Sequence, residues 1–325
     1  MFYLGIDVSK AKLDTLLLDP TNGKRKSKVV PNSEAGVRSL LKVMAAHGIA
    51  PEDLHVIMEP TGSYHEVAAW ALVEAKCVVS LVNPLHARRY AESLGLRSKT
   101  DRADAAVLAR YGAAEKPPAW VPPNAAARVL RALLARRDAV AEDLQREKNR
   151  AEKSGVHTPD AVAASIQQGI EFLQKQLDSL QRQIEDHIDR DPGLREKRDL
   201  LLTIPGVGDR VAQHMSALLA THPFASAEQL AAYLGLVPIE RQSGSSLKGR
   251  PRLSKTGPAY LRRLLYLPAV VATHHNPHVR ALHLRLLARG KSKMSAVGAA
   301  MRKLVHLCFG VVHSRKPYSP GYPIT

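Results

Sequence analysis

The first third of the chain switches between two hydrophobic periods. Tyr3-Leu4-Gly5-Ile6-Asp7-Val8 is a short apolar run broken by one acid, and Lys12-Leu13-Asp14-Thr15-Leu16-Leu17-Leu18 follows after a brief turn, which predicts a hairpin of two strands. Asp19-Pro20-Thr21-Asn22-Gly23 is turn chemistry, Lys28-Val29-Val30 predicts a third short strand, and Asn32-Ser33-Glu34 caps a helix running to about Ala46. The pattern then alternates: a strand over Leu54–Met58, a helix over Ser63–Ala75, a strand over Cys77–Val82, and helices near His86–Ser93 and Asp101–Tyr111. Three antiparallel strands followed by alternating helices and strands is the order of an α/β ribonuclease-H-like fold, with helices on both faces of a mixed sheet. The actin-like kinase fold starts similarly and is the alternative.

Lys116-Pro117-Pro118-Ala119-Trp120-Val121-Pro122-Pro123 cannot continue a helix and predicts a linker. Ala125 to about Lys153 is rich in Ala, Leu, Arg and Glu and reads as a helix. After a break come Ile166, Ile170, Leu173, Leu177, Leu180, Ile184 and Ile188, spaced alternately by four and three residues. That spacing draws one apolar stripe along a helix, as in a coiled-coil seam. Packing on the preceding helix and self-association are both open to it. Asp191-Pro192-Gly193 opens a last, mostly α region. The predicted division is residues 1–120 as an α/β domain, 121–192 as a helical coiled-coil and dimerisation region, and 193–325 as a basic domain.

Charge changes this picture most at the C-terminal end. The net charge is +17, and from Arg241 to Thr325 there are 16 Lys and Arg and no Asp or Glu, which leaves 31 basic and 30 acidic residues before it. Apolar helical stretches such as Leu261-Arg262-Arg263-Leu264-Leu265-Tyr266-Leu267 suit a folded domain better than a solubility tail. A polyanionic partner, nucleic acid, is expected. Two cysteines, Cys77 and Cys308, are too few for a disulfide framework or a zinc site and suit a reducing compartment. Asp7 and Lys10 interrupt the opening apolar run, and no apolar stretch approaches the roughly 20 residues of a membrane span. A soluble, cytoplasmic protein with no membrane partner is expected.

Three constellations carry chemistry. Asp7 lies in the first strand, Glu59 at the end of the fourth, and Asp101 and Asp104 share a helix face at i, i+3. In a ribonuclease-H-like sheet the first and fourth strands are neighbours, so all four acids can converge. Gathered carboxylates repel unless cations neutralise them, and hard oxygen donors suit Mg2+ or Mn2+. Two such ions activate a nucleophile and stabilise a leaving oxygen at a phosphodiester. The structural reading is that Asp101 caps its helix and Asp104 pairs with a nearby Arg. An acid inside an apolar strand, as at Asp7, costs several kcal/mol unless paired or metal-bound, to order of magnitude (~3).

Leu202-Thr203-Ile204-Pro205-Gly206-Val207-Gly208-Asp209 leads into a helix and reads as a helix-hairpin-helix or a plain helix-helix turn. In the first reading Gly206 and Gly208 let backbone N–H groups meet a phosphate. The third constellation runs from Arg241 to Gly257, where Ser243, Ser245 and Ser246 alternate with Arg241, Lys248, Arg250, Arg252 and Lys255, followed by Arg262 and Arg263. Such a loop wraps a phosphate backbone. A serine hydroxyl is a poor nucleophile unaided, although nearby cations stabilise its alkoxide. On the residues alone, phosphate hydrogen bonding and nucleophilic attack both stay open.

Together these features resemble the DEDD insertion-sequence transposases of the insertion-sequence one-ten type, which combine a RuvC-like N-terminal domain with a separate C-terminal transposase domain. The resemblance rests on Gly5-Ile6-Asp7, Met58-Glu59-Pro60-Thr61-Gly62, Val82-Asn83-Pro84, Lys99-Thr100-Asp101-Arg102-Ala103-Asp104, Ile204-Pro205-Gly206-Val207-Gly208, Ser243-Gly244-Ser245-Ser246 and Ser254-Lys255-Thr256-Gly257. It implies that Asp7, Glu59, Asp101 and Asp104 are the catalytic, metal-binding acids and that Ser243 is the nucleophile. It further implies a phosphoserine-linked intermediate, a composite site with acids and serine from different subunits of a dimer or tetramer, and guidance by a structured bridge RNA. A RuvC-like Holliday-junction resolvase or nuclease using metal-activated water is the alternative, and a binding protein without catalysis a further one.

Overall fold

The computed structural model describes residues 1–95, 101–155, 157–239, 242–243, 247–248 and 251–321. They form two compact units, Met1–Pro122 and Pro123–Thr325.

In the first unit β1 (Phe2–Val8), β2 (Lys12–Leu18) and β3 (Arg25–Pro31) form an antiparallel meander, and β4 (Leu54–Met58) and β5 (Val78–Leu81) add in parallel to β1, giving the order β3-β2-β1-β4-β5. This is the strand order of the ribonuclease-H-like fold, as the residue pattern predicts. Helices α1 (Glu34–Ala46), α2 (Tyr64–Glu74), α3 (Pro84–Ser93) and α4 (Asp101–Glu115) complete it. β3 is longer than its apolar residues suggest, because Arg25, Lys26 and Lys28 continue the ladder on an exposed edge where charge discourages further pairing. One core beneath the sheet gathers Leu4, Ile6, Leu40, Leu54, Val56 and Leu72, and another under α4 gathers Tyr3, Ile57, Ala105 and Leu108.

Gly5 explains how α4 reaches the sheet. A Cβ there would overlap the Ala105 carbonyl and the Ala109 amide, so only glycine lets the helix backbone lie on β1. Gly112 does the same over the Ile57 side chain. The proline-rich segment is drawn onto the edge of the sheet rather than leaving it. The Ser80 hydroxyl donates toward the Pro117 and Pro118 carbonyls at 3.0 and 2.8 Å, the Trp120 amide donates to Val79 at 2.7 Å, and Trp120 meets Trp70 edge-on.

The second unit is built on two long helices, α5 (Ala125–Lys153) and α6 (Asp160–Arg190), followed by α7 (Pro192–Leu202), α8 (Asp209–Thr221) and α9 (Ala227–Tyr233). Leu130 and Leu134 of α5 pack on Ile184 and Ile188 of α6 with Leu194 and Ala217. The stripe therefore finds a partner within the chain at its C-terminal end, while Ile166, Ile170, Leu173, Leu177 and Leu180 are only half-buried. Short strands β6 (Pro238–Ile239), β7 (Gln242–Ser243), β8 (Leu247–Lys248) and β9 (Arg252–Leu253) pair as β6 with β9 and β7 with β8. Helices α10 (Ala259–His275), α11 (Pro277–Ala288) and α12 (Lys293–Ser314) close the core around Leu261, Leu265, Leu304 and Cys308. Both cysteines are buried and free. Among the described residues α12 alone is long and apolar enough to cross a membrane, and its Ala300, Leu304, Val305 and Cys308 lie in this core.

Candidate functional site

The acids of the first unit come from three elements. Asp7 sits near the end of β1, beside β4, whose Met58 pairs with Ile6, so Glu59 follows directly where the two parallel strands end. Asp101 and Asp104 stand in the first turn of α4, which Gly5 seats on β1. Burial raises the Asp7 carboxyl above its ordinary range, and the charges of Asp104, Asp101 and Asp14 raise it further. Asp7, Asp101 and Asp104 therefore share one electrostatic neighbourhood.

Asp14 completes that neighbourhood and was not singled out by the sequence. It pairs directly opposite Asp7 across the β1–β2 hairpin and is 8% exposed. Lys12 relieves part of the repulsion, with its ammonium 2.8 Å from Asp101 Oδ2 and 3.0 Å from Asp14 Oδ2. The hydrogen bonds that the Lys12 ammonium donates to Asp101 and then to Asp14 raise its pKa, and the same contact lowers the Asp101 carboxyl. Asp101 thus pairs with a lysine 89 positions away rather than serving only as a cap. Among the described residues no three His, Cys, Asp or Glu side chains already enclose a space for an ion. The donor chemistry nevertheless suits a hard divalent cation: oxygen ligands only, mutually repelling, with one ammonium standing where positive charge is needed.

The hairpin of the second unit joins α7 to α8. Gly206 has φ +99°, and a Cβ there would lie 2.8 Å from Ala272 Cβ and 3.0 Å from the Pro268 carbonyl, so its bare face is taken up by packing on α10. Gly208 is open, with nothing within 4 Å, and begins α8 with no side-chain cap. Its exposed N-terminal amides are the ones available to a phosphate. The Asn276 side chain donates to the Pro205 carbonyl at 3.3 Å, and the Tyr318 amide donates to Thr203 Oγ1 at 2.8 Å, which hold the turn in place.

The serine-bearing segment is a hairpin on a clamped base. Ser243 stands in β7 opposite Leu247, and Lys248 stands in β8. Ser245, Ser246 and Arg250 lie outside the described residues. At the base the Ser254 amide donates to Val237 at 2.9 Å and the Lys255 amide to Gly235 at 3.1 Å. Cβ atoms on Gly235 or Gly257 would overlap the Thr256 and Tyr233 carbonyls. Arg262 Nη1 donates to the carbonyls of Leu234, Thr256 and Gly257 at 3.2, 3.2 and 3.0 Å. Arg263 pairs with Glu142 at 3.0 Å, while Arg252 and Lys255 are exposed. Arg262 is therefore engaged in holding the base together.

A polar network that the sequence did not flag links α5 to α8. Arg137, 5% exposed, donates to Gln213 Oε1 at 2.7 Å and to Asp138 at 2.9 Å, and His214 Nε2 lies 3.0 Å from Asp138 Oδ2. Burial alone would raise the Asp138 carboxyl, but His214 and then Arg137 pull it well below its ordinary range.

Strand order and converging acids define a ribonuclease-H-like domain joined to a helical, basic unit. Residues 4–154 match the transposase family profile DEDD_Tnp_IS110, and residues 198–284 match the transposase IS116/IS110/IS902 family. Pilin gene-inverting proteins of Moraxella lacunata and Moraxella bovis are each 33% identical over 318 residues, 97% of this chain and 97% of theirs. An uncharacterized 43.6 kDa protein of insertion element IS110 from Streptomyces coelicolor is 28% identical, over 52% of this chain and 41% of its own. A RuvC of T. thermophilus, solved with a Holliday junction substrate, aligns over 35% of this chain and 92% of its own at 17% identity and a TM-score of 0.27, a likeness too slight to define a fold that the strand order defines instead. The chain belongs to the IS110 family of transposases, whose members are DNA-acting enzymes.

Proposed function

We propose that this protein is the recombinase of a mobile element, cutting and rejoining DNA with carboxylates from its first unit and a serine from its second. The observation that carries the reading is Asp7, a half-buried acid in an apolar strand, held in the field of Asp101, Asp104 and Asp14. Asp7, Glu59, Asp101 and Asp104 would hold Mg2+ or Mn2+, which supplies Lewis-acid polarisation of a phosphodiester when bound. The chain's own part is to fix the acids: Gly5 docks α4, and the Lys12 ammonium offsets part of their repulsion at Asp101 and Asp14.

Ser243 is the nucleophile in this reading. Its oxygen bonds to phosphorus, the bond from phosphorus to a deoxyribose oxygen breaks, and that oxygen leaves as a hydroxyl. One ester replaces another, so strands are resealed by the reverse step without an external energy source. Gly208, Ser245, Ser246, Lys248, Arg250, Arg252 and Lys255 contact phosphates; Gly206, Arg262 and Arg263 support that surface through α10, the hairpin base and Glu142. The division into 1–120, 121–192 and 193–325 then assigns metal chemistry, self-association and DNA gripping in that order. The half-buried outer part of the α6 stripe supports a homo-oligomer, a dimer or a tetramer, with acids and serine drawn from different copies. A structured bridge RNA would supply sequence choice by base pairing, a division of labour known from other guided effectors.

Replacing the serine tests the mechanism. Ser243→Ala is expected to bind the element's ends normally and to recombine them at least about a thousandfold more slowly, as expected when a nucleophile is lost. Recombination at the normal rate would remove the serine from the mechanism. Strand cleavage that survives Ser243→Ala would favour the second reading, a resolvase or nuclease acting through water, which the acids alone suffice to support. Noncoding RNA from the element co-purifying with the protein would support guidance.

A further inference from the structure

The second unit contains a concave pocket of about 270 Å3 between α7, the end of α8 and the end of α12. Its volume falls just under the roughly 300 Å3 at which small-ligand sites begin, which suits one flat ring better than a whole cofactor. Its walls carry two stacked ring pairs. His222 lies on Phe224 with centroids 5.7 Å apart and planes at 14°, and Phe309 lies on His313 at 5.2 Å and 14°.

The His222 ring is held flat and kept from other work. Its Nδ1 lies 2.9 Å from Thr221 Oγ1 and its Nε2 lies 3.3 Å from the Tyr233 hydroxyl. Burial, together with the nearby Arg131 charge, lowers the imidazole below its ordinary value. With both nitrogens engaged, the ring is suited neither to coordinate a metal nor to shuttle protons; stacked on Phe224 and 5.0 Å from the Tyr233 ring, it backs the Phe224 wall. The rim adds Lys197, exposed Arg315 at the left-handed end of α12, and the acceptor Glu196. Lys197 donates to the Gly193 carbonyl of its own helix at 3.2 Å.

From this geometry we infer that the pocket takes one unpaired nucleotide of a nucleic-acid strand, its base against the Phe224 and Phe309 walls and its phosphate on Lys197 and Arg315. Aromatic faces stack any base, cations meet the phosphate, and a carboxylate accepts from a base's amino group. The inference rests on the nucleic-acid reading above, but it involves neither the acids nor Ser243. Single-stranded DNA and RNA share this chemistry, and the test separates them.

The full-length protein is titrated into single-stranded DNA and RNA oligonucleotides carrying one 2-aminopurine, whose fluorescence is quenched on stacking, with a labelled duplex titrated in parallel. The expected result is quenching with at least one of the two strands, which identifies the source. Affinity for that strand should fall roughly tenfold in Lys197→Ala/Arg315→Ala, as for charge-assisted contacts. Phe309→Leu should lose most of the quenching and Phe309→Tyr should keep it, with thermal unfolding of all variants checked against the parent. Duplex binding without quenching by either strand, or quenching unchanged in every variant, overturns the pocket alone. Failure to bind any nucleic acid overturns both readings.

Discussion

The two units use glycine and charge in opposite ways. In the first, Gly5 removes a side chain so that a helix bearing two carboxylates can approach a strand bearing a third, and the resulting crowd of acids is relieved by one ammonium from Lys12. In the second, Gly235 and Gly257 remove side chains so that two backbone segments can touch, and the cation Arg262 is spent on three carbonyls there. Close approach crowds like charge that Lys12 relieves only in part in one place, and builds a hydrogen-bonded scaffold in the other. The acids keep a shortfall of positive charge, whereas part of the basic surface is already committed to structure.

The largest effect that tests this contrast is expected at Gly5. Gly5→Ala forces backbone apart at the heart of the sheet and should cost about 3–5 kcal/mol, in the tail of single substitutions, read as a lowered unfolding midpoint. Asp138→Ala comes next. It strips a partner from buried Arg137 and His214 and should cost about 3 kcal/mol, the low end for a buried pair because the Asp138 side chain is 22% exposed. Asp138 also gives a pH dependence with a defined sign. Its folded carboxyl lies below its unfolded value of about 3.9, so its stabilisation is present above that pH and is lost as pH falls toward the folded value. Urea unfolding midpoints between pH 6 and 2.5 should drop below about pH 4 in the parent and much less in Asp138→Asn.

The hairpin glycines sharpen the contrast within one turn. Gly206→Ala meets Ala272 at positive φ and should destabilise by about 2 kcal/mol, whereas Gly208→Ala should cost under about 0.5 kcal/mol while weakening duplex binding. Equal losses of stability at both positions would contradict the packing described. Smallest in stability is Lys12→Met, whose partners Asp101 and Asp14 would keep their places by backbone position. Its expected signature is tighter Mn2+ binding, measured by calorimetry, because a competing cation has gone.

Much of the first unit was legible in the sequence because its strands are buried runs and its first helix carries a clear cap, Ser33, which accepts from the Gly36 amide. The neighbourhood of Asp7, Asp101 and Asp104 was legible for the same reason, since strand order and an i, i+3 pair on one helix bring their elements together, and β1 and β4 end side by side where Glu59 follows. Asp14 was missed although the signal existed: the short turn after Val8 fixes a register in which residue 7 faces residue 14. Arg137 also left a trace, as a cation on the same face as Leu130, Leu134 and Leu144 of α5, but its partners Gln213 and His214 lie some 76 and 77 positions away. The roles of Gly206 and Arg262 were beyond reach, because both depend on which segment packs against them, and local pattern carries no record of that.

The central claim, that acids of one unit and a serine of the other act on the same phosphodiester, is tested most directly by trapping the DNA adduct. The protein is incubated with a plasmid carrying the element's ends, with Mg2+ or with chelator, and the DNA-linked peptide is mapped by mass spectrometry. The account predicts a metal-dependent adduct on Ser243 that disappears in Asp7→Asn as completely as in Ser243→Ala. Cut DNA with free ends and no adduct, or an adduct on Ser243 that survives Asp7→Asn, would contradict it.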